Sequence, residues 1–151
     1  MKKLSILLTI SLFGYCITIQ GQTSDIVTVK VDDEVYYLTH TIPGYDITGV
    51  YNYEEKGEPK VELNKDGTGL FQLHGMSATK MEWGIECDEN GVVKVENPAS
   101  GGVYNLWYQI KETHKGPTWE QGTVGKWDVV EFFIWAAERK MHILRERIKR
   151  F

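Results

Sequence analysis

Cysteine is nearly absent from this chain. Its 151 residues hold only Cys16 and Cys87, which excludes a disulfide-stapled scaffold and leaves no CxxC pair for a zinc knuckle or a redox motif. The four histidines, His40, His74, His114 and His142, stand singly, without the close spacing or Cys partners of a zinc site. The turns at 64–67 and 88–91 are acidic, but neither has the later Glu and alternating ligand run of a calcium loop. The only thiol pairing on offer, Cys87 with His74 or His114, lacks a nucleophile elbow or a third orienting group. No metal, no cofactor and no catalytic residue are therefore expected, and the chain reads as a non-enzyme.

Long apolar runs are also missing, with one exception. The chain opens with Lys2 and Lys3, continues as an apolar stretch from Leu4 to Ile19 interrupted by Ser5, Thr9, Ser11 and Thr18, and ends in small or polar residues. That is the layout of a secretory signal peptide over residues 1–21, with Gln22 as the new N-terminus. The stretch falls short of the roughly 20 apolar residues a spanning helix needs. Cys16 could anchor a lipid, but Tyr15 stands where a lipobox carries Gly, Ala or Ser. The expected location is thus periplasmic or secreted. An outer-membrane lipoprotein is the lesser reading, and membrane association follows only if Cys16 is lipidated.

A basic excess is lacking too. Removing Lys2 and Lys3 from the 17 basic residues while keeping all 21 acidic ones leaves the processed chain at a net −6. Such a balance disfavours nucleic acid as a partner, because neutralising phosphates requires a basic face. Basic residues nevertheless crowd the end of the chain, at Arg139, Lys140, Arg145, Arg147, Lys149 and Arg150. Such a run can meet an anionic surface, but it is more commonly a solvated face.

What is present is a β pattern. Short β-favouring runs at 26–31, 35–41, 49–53, 60–63, 68–73, 81–86, 92–96 and 104–110 alternate with Asn-, Asp- and Gly-rich turns, and these residues tolerate the left-handed conformation of tight hairpins. Turn spacings of about 8–12 residues predict an antiparallel sandwich or barrel. Apolar residues fall at every second position in Val61 and Leu63, then at Leu70, and again in Met81, Trp83, Ile85 and Cys87. Each series therefore points inward and predicts a buried Cys87. Residues 127–135 read as a strand and 136–139 as its turn. Beyond them two patterns compete, because Ala137, Met141, Leu144, Ile148 and Phe151 recur at helical spacing while an all-β neighbourhood favours a strand at 140–150.

The segments Thr48-Gly49-Val50-Tyr51, 63–69, Met81-Glu82-Trp83-Gly84-Ile85 and 140–147 resemble small lipocalin-like (calycin-type) domains exported by Bacteroidetes-type bacteria. Gly49-Val50-Tyr51 resembles the Gly-x-Trp of the first lipocalin strand, with Tyr in place of Trp. A basic residue near the end of the last strand resembles the Arg that packs over that ring. The resemblance implies an all-β, antiparallel up-and-down barrel over residues 46–151, with an additional N-terminal hairpin or extension at 22–45. It also favours a strand at 140–150 that closes the sheet beside residues 49–53 and brings Arg145 or Arg147 onto Tyr51.

The function expected on this basis is extracytoplasmic binding of a small apolar or amphipathic ligand. The candidate walls are Tyr51, Phe71, Trp83, Trp107, Tyr108 and Trp135. Trp119 would be the lid, because it is the one large apolar residue of a 14-residue polar segment at 112–125. The alternative is a protein-interaction module, such as an inhibitor or an envelope-complex accessory subunit, using that loop and the N-terminal hairpin as its contact surface.

Overall fold

A computed structural model describes residues 26–53, 56–112, 124–144 and 147–151. The segment read as a signal, including Cys16, lies outside them, as does Trp119. Ten strands form: β1 (Val27–Val31), β2 (Glu34–Thr39), β3 (Gly49–Tyr53), β4 (Lys60–Leu63), β5 (Thr68–Phe71), β6 (Thr79–Cys87), β7 (Gly101–Ile110), β8 (Trp127–Trp135), β9 (Lys140–Ile143) and β10 (Arg147–Arg150). From β3 to β10 each strand pairs antiparallel with the next, and β10 returns to β3. The result is a closed, eight-stranded up-and-down barrel with an N-terminal hairpin, the fold class expected above.

The turns are set by short acidic side chains. Asp66 Oδ1 accepts from the Thr68 N–H at 3.0 Å and its hydroxyl at 2.6 Å, while Asp88 Oδ1 accepts from the N–H groups of Asn90 and Val92 at 2.9 and 2.8 Å. These are local substitutes for backbone partners, and they fix where each strand stops.

Two segments differ from the sequence reading. Residues 92–96 form no strand and make only isolated bridges, Cys87 with Val93 and Glu96 with Val103. β6 instead pairs directly with β7, from Met81↔Ile110 to Ile85↔Leu106. The chain between them packs Val93 against the main core and returns through Asn97, which takes φ 52°, and a 3₁₀ turn at Pro98–Ser100. The single strand expected at 140–150 is two antiparallel strands, β9 and β10, the first ending before Leu144, which takes φ 54°. The competing helix does not form.

Alternation decides what fills the bore. Tyr51, Val61, Leu63, Met81, Trp83, Ile85, Tyr104, Leu106, Phe132, Ile134, Met141 and Ile143 belong to one buried cluster. Ile42 and Ile47, from the connection between β2 and β3, are buried in it at the end of the barrel where β3 begins. Cys87 is buried as expected, and burial pushes its thiol above the ordinary value.

The hairpin lies against the outside of the barrel. β2 pairs with the far end of β6, from Tyr37↔Cys87 to Thr39↔Ile85, beyond the reach of β5. Gly84 permits the approach, since a Cβ there would stand 2.7 Å from the Cβ of Leu38. Val29, Leu38 and Trp107 form a second small core in this seam, and the ring of Tyr36 lies 4.4 Å from that of Trp107.

Glu86 is the polar counterpart of that seam. Its carboxylate, buried within the outer layer, accepts from Lys94 Nζ at 2.7 Å, Asn105 Nδ2 at 2.9 Å and Trp107 Nε1 at 3.2 Å. Burial alone would raise its pKa, but the three donors and the Lys94 charge together outweigh it and hold the carboxyl below its ordinary value. The stability this confers is complete above the unfolded-state pKa of about 4.3 and is lost as pH falls through the lower folded-state value. Glu86→Gln is therefore expected to unfold at lower urea than the parent at pH 7, with the difference narrowing by pH 3.5. An unchanged difference across that range would show that the charge contributes nothing.

Candidate functional site

β3, β5, β7 and β9 end at the rim opposite Ile42 and Ile47, and this rim is where the bore ceases to be packed. Strand parity turns Tyr53, Phe71, Tyr108, Asp128 and Arg147 inward there. Phe71 and Tyr108 are half-buried and nearly parallel, with ring centroids 5.9 Å apart at 16°. Arg147 opens β10 opposite Tyr53 and is only 4% exposed. Its guanidinium carbon lies 5.4 Å from the Phe71 ring centre, within cation–π range. The Phe71 ring thus meets both the Arg147 cation and the Tyr108 ring.

Tyr108 is anchored at its far end, where its hydroxyl donates to Asp128 Oδ2 at 3.2 Å across the β7–β8 pair. Burial, then the neighbouring Asp128 charge, pushes its phenol up to about 12, with Arg147 pulling the other way. The ring therefore stays a neutral donor at physiological pH. Beside the mouth, Tyr53, Lys56, Glu58, Pro59 and His74 line a groove of about 430 Å³, within the usual range for a small-molecule site. Lys56 Nζ sits 5.5 Å from the Tyr53 ring centre.

Of the wall and lid residues expected from the sequence, only Phe71 and Tyr108 meet at this mouth. Tyr51 and Trp83 lie in the bore but are fully buried core members. The Tyr51 hydroxyl donates to the Ile47 carbonyl at 2.6 Å, and burial followed by the Asp46 charge drives it well above the ordinary phenol value. Trp107 and Trp135 are not bore walls. Each follows an inward residue, Leu106 and Ile134 respectively, so alternation turns it outward. Trp107 accordingly sits under the hairpin, and Trp135 is 44% exposed with its ring 4.7 Å from that of His142. Trp119 lies outside the described residues.

The expected contact of Arg145 or Arg147 with Tyr51 is also corrected. Because β10 begins at Arg147 and pairs with the last residue of β3, the guanidinium lies at the level of the mouth and faces Phe71. Tyr53, Asp128 and His74 were missed as mouth residues. The available signal was parity, since Tyr53 shares a face with Tyr51, and Asp128 shares one with Phe132 and Ile134.

The basic run near the end of the chain is largely turned to internal ties. Lys149 Nζ donates to the carbonyls of Asp46, at 2.7 Å, and Thr48. Arg139 Nε donates to the Phe151 carbonyl at 2.6 Å, and Lys140 pairs with Glu138 at 2.8 Å. Among the described residues, no three His, Cys, Asp or Glu side chains converge as metal ligands. No family model, curated protein or solved structure matches the chain.

Proposed function

We propose that this protein is a non-enzymatic, exported, lipocalin-like binding protein that takes a small apolar or amphipathic ligand at the mouth of its barrel. The observation that carries the reading is the Phe71–Tyr108 pair. Two large ring faces stay half-buried at one end of a bore whose remainder is packed with side chains. Exposed aromatic area bounded by a few polar groups is the usual composition of a ligand site. Arg147, Asp128 and Tyr53 supply those groups. Export rests on the charge and hydropathy layout of residues 1–21.

Titrating a panel of small amphiphiles into the 15N-labelled protein tests the reading. Saturable shifts are expected at Tyr53, Phe71, Tyr108 and Arg147. Shifts at no concentration, or shifts confined to the hairpin, would reject it.

A second reading, a protein-interaction module, draws on the hairpin. Among the described residues no strand pairs with the outer edge of β1, and Ile26, Val27 and Val35 are exposed beside it. Such an edge is a template for a partner strand. A stable complex recovered from envelope extract, together with an unresponsive mouth, would favour this reading over the first.

A further inference from the structure

We propose that the free edge of β1 takes an extended peptide of a partner protein, with apolar side chains at alternate positions and a basic end beside the acidic hairpin tip. The inference rests on the protein-interaction reading, and three features of the hairpin give the partner its chemistry.

The first is the ladder. Val31 and Glu34 pair across a two-residue turn at Asp32 and Asp33, so they exchange backbone hydrogen bonds, and the exchange recurs at Val29↔Tyr36 and Val27↔Leu38. The N–H and C=O groups of Thr28 and Lys30 therefore point away from β2, and among the described residues no strand pairs with them. An extended backbone is what completes such a row. The second is the ground beside the edge. Val29 is buried with Leu38 and Trp107, and Trp127 packs partly buried against them. Since Trp107 belongs to β7 and Trp127 to β8, the free side of β1 looks toward β8. There Val129 pairs with Trp107 on the outer face and is 40% exposed, with Val27 of β1 at 39%. Every second side chain of an added strand turns to the barrel, onto this apolar ground. The third is charge. Asp32, Asp33 and Glu34 stand exposed together at the tip, and the nearby Lys30 reaches Asp33 at 3.7 Å. The acidic surplus favours a cationic flank on the partner. It also disfavours a second copy of a chain with 21 acidic and 17 basic residues.

The test titrates the 15N-labelled full chain with the blocked peptide acetyl-Thr-Val-Thr-Val-Thr-Lys-Lys-amide, its counterpart ending in two glutamates, and a form N-methylated at the valine and threonine amides. The lysine peptide is expected to give saturable shifts at Thr28 and Lys30 and to slow amide exchange there about tenfold or more. Exchange at Val27, Val29 and Val31, already bonded to β2, should change little. The glutamate peptide is expected to bind at least about threefold more weakly, by a margin that shrinks with added salt, and the N-methylated form not at all. Thr28→Pro removes an outward N–H that β2 does not use, a position where an edge strand tolerates proline, and should abolish docking. Should that variant fail to fold, Val129→Lys on β8 is expected to weaken docking about fivefold or more by placing a charge on the apolar ground. Equal binding of the lysine and glutamate peptides overturns the charge assignment. Binding indifferent to N-methylation overturns strand addition. Protection of Thr28 and Lys30 that grows with protein concentration, without peptide, assigns the edge to a second copy and overturns the partner. No binding of any peptide overturns this inference, while the interaction reading then stands or falls on the complex sought in envelope extract.

Discussion

Trp83→Ala is expected to lower the unfolding free energy by about 3–5 kcal/mol, the range seen when a large aromatic is deleted from a packed core. Trp83 is fully buried in the centre of β6. Its indole N–H donates to the carbonyls of Thr68 at 2.9 Å and Asn64 at 3.2 Å, so it ties β6 to the turn between β4 and β5. The His40 ring meets it edge-on at 5.3 Å from the side of the hairpin. Alanine would leave a cavity and remove the donor that both carbonyls share. With each kcal/mol worth roughly 2–4 °C in a domain of this size, a fall in melting temperature on the order of 10 °C should be visible by circular dichroism. A fall of only a degree or two would mean that the surrounding strands collapse into the space.

Gly101→Ala attacks the barrel from the backbone instead. Gly101 takes φ 120°, and a Cβ built on it would stand 2.2 Å from the Ile134 carbonyl oxygen. The neighbouring atom is main chain within the β7–β8 ladder, where Gly101 pairs with Trp135, so it cannot swing aside. Backbone strain of about 1–3 kcal/mol is joined by an overpacking cost of about 1–3 kcal/mol. Urea denaturation is expected to show a lower midpoint with an unchanged slope. Parent-like stability would require the start of β7 to peel from β8, which faster amide exchange at Gly102 and Val103 would reveal.

How much of this was legible depends on which residues carried the signal. Met81, Trp83, Ile85 and Cys87 announced an inward face because alternation is a property of the strand itself, and all four are buried. Val92, Val93 and Val95 looked equally strand-like. Propensity could not reveal that β6 and β7 already occupy each other's edges, leaving that stretch to fold outside the sheet. The break at Leu144 was invisible for another reason. Its left-handed conformation falls on a residue that no turn rule selects, so two strands read as one.

The mouth was the least legible part. Phe71 and Arg147 lie 76 positions apart, and only the register of β10 on β3 brings the guanidinium to the level of that ring. Placing both Trp107 and Tyr108 on one wall overlooked what alternation forbids to consecutive residues of a strand. Trp135 after Ile134 repeats the lesson. Ring size suggested a binding wall in both cases, while parity placed the ring on the opposite face.

The pairing order also bears on how the chain reaches this state. Seven of the eight seams join consecutive strands, so each closes a comparatively local loop as its hairpin zips. The eighth joins Tyr53 to Arg147, and closing a free coil of that length would cost about 4 kcal/mol in the length-dependent entropy alone. A meander that forms hairpin by hairpin and curls with its own twist brings those ends together before they pair, which spares most of that cost. From sequence separation alone, the β3–β10 seam is then expected to be the last to form in folding. Among the described residues it is held by two register pairs and by the Lys149 ammonium, which donates to the carbonyls of Asp46 and Thr48 just before β3, so amide exchange at Asn52 and Ile148 reads directly how far this seam opens in the native barrel.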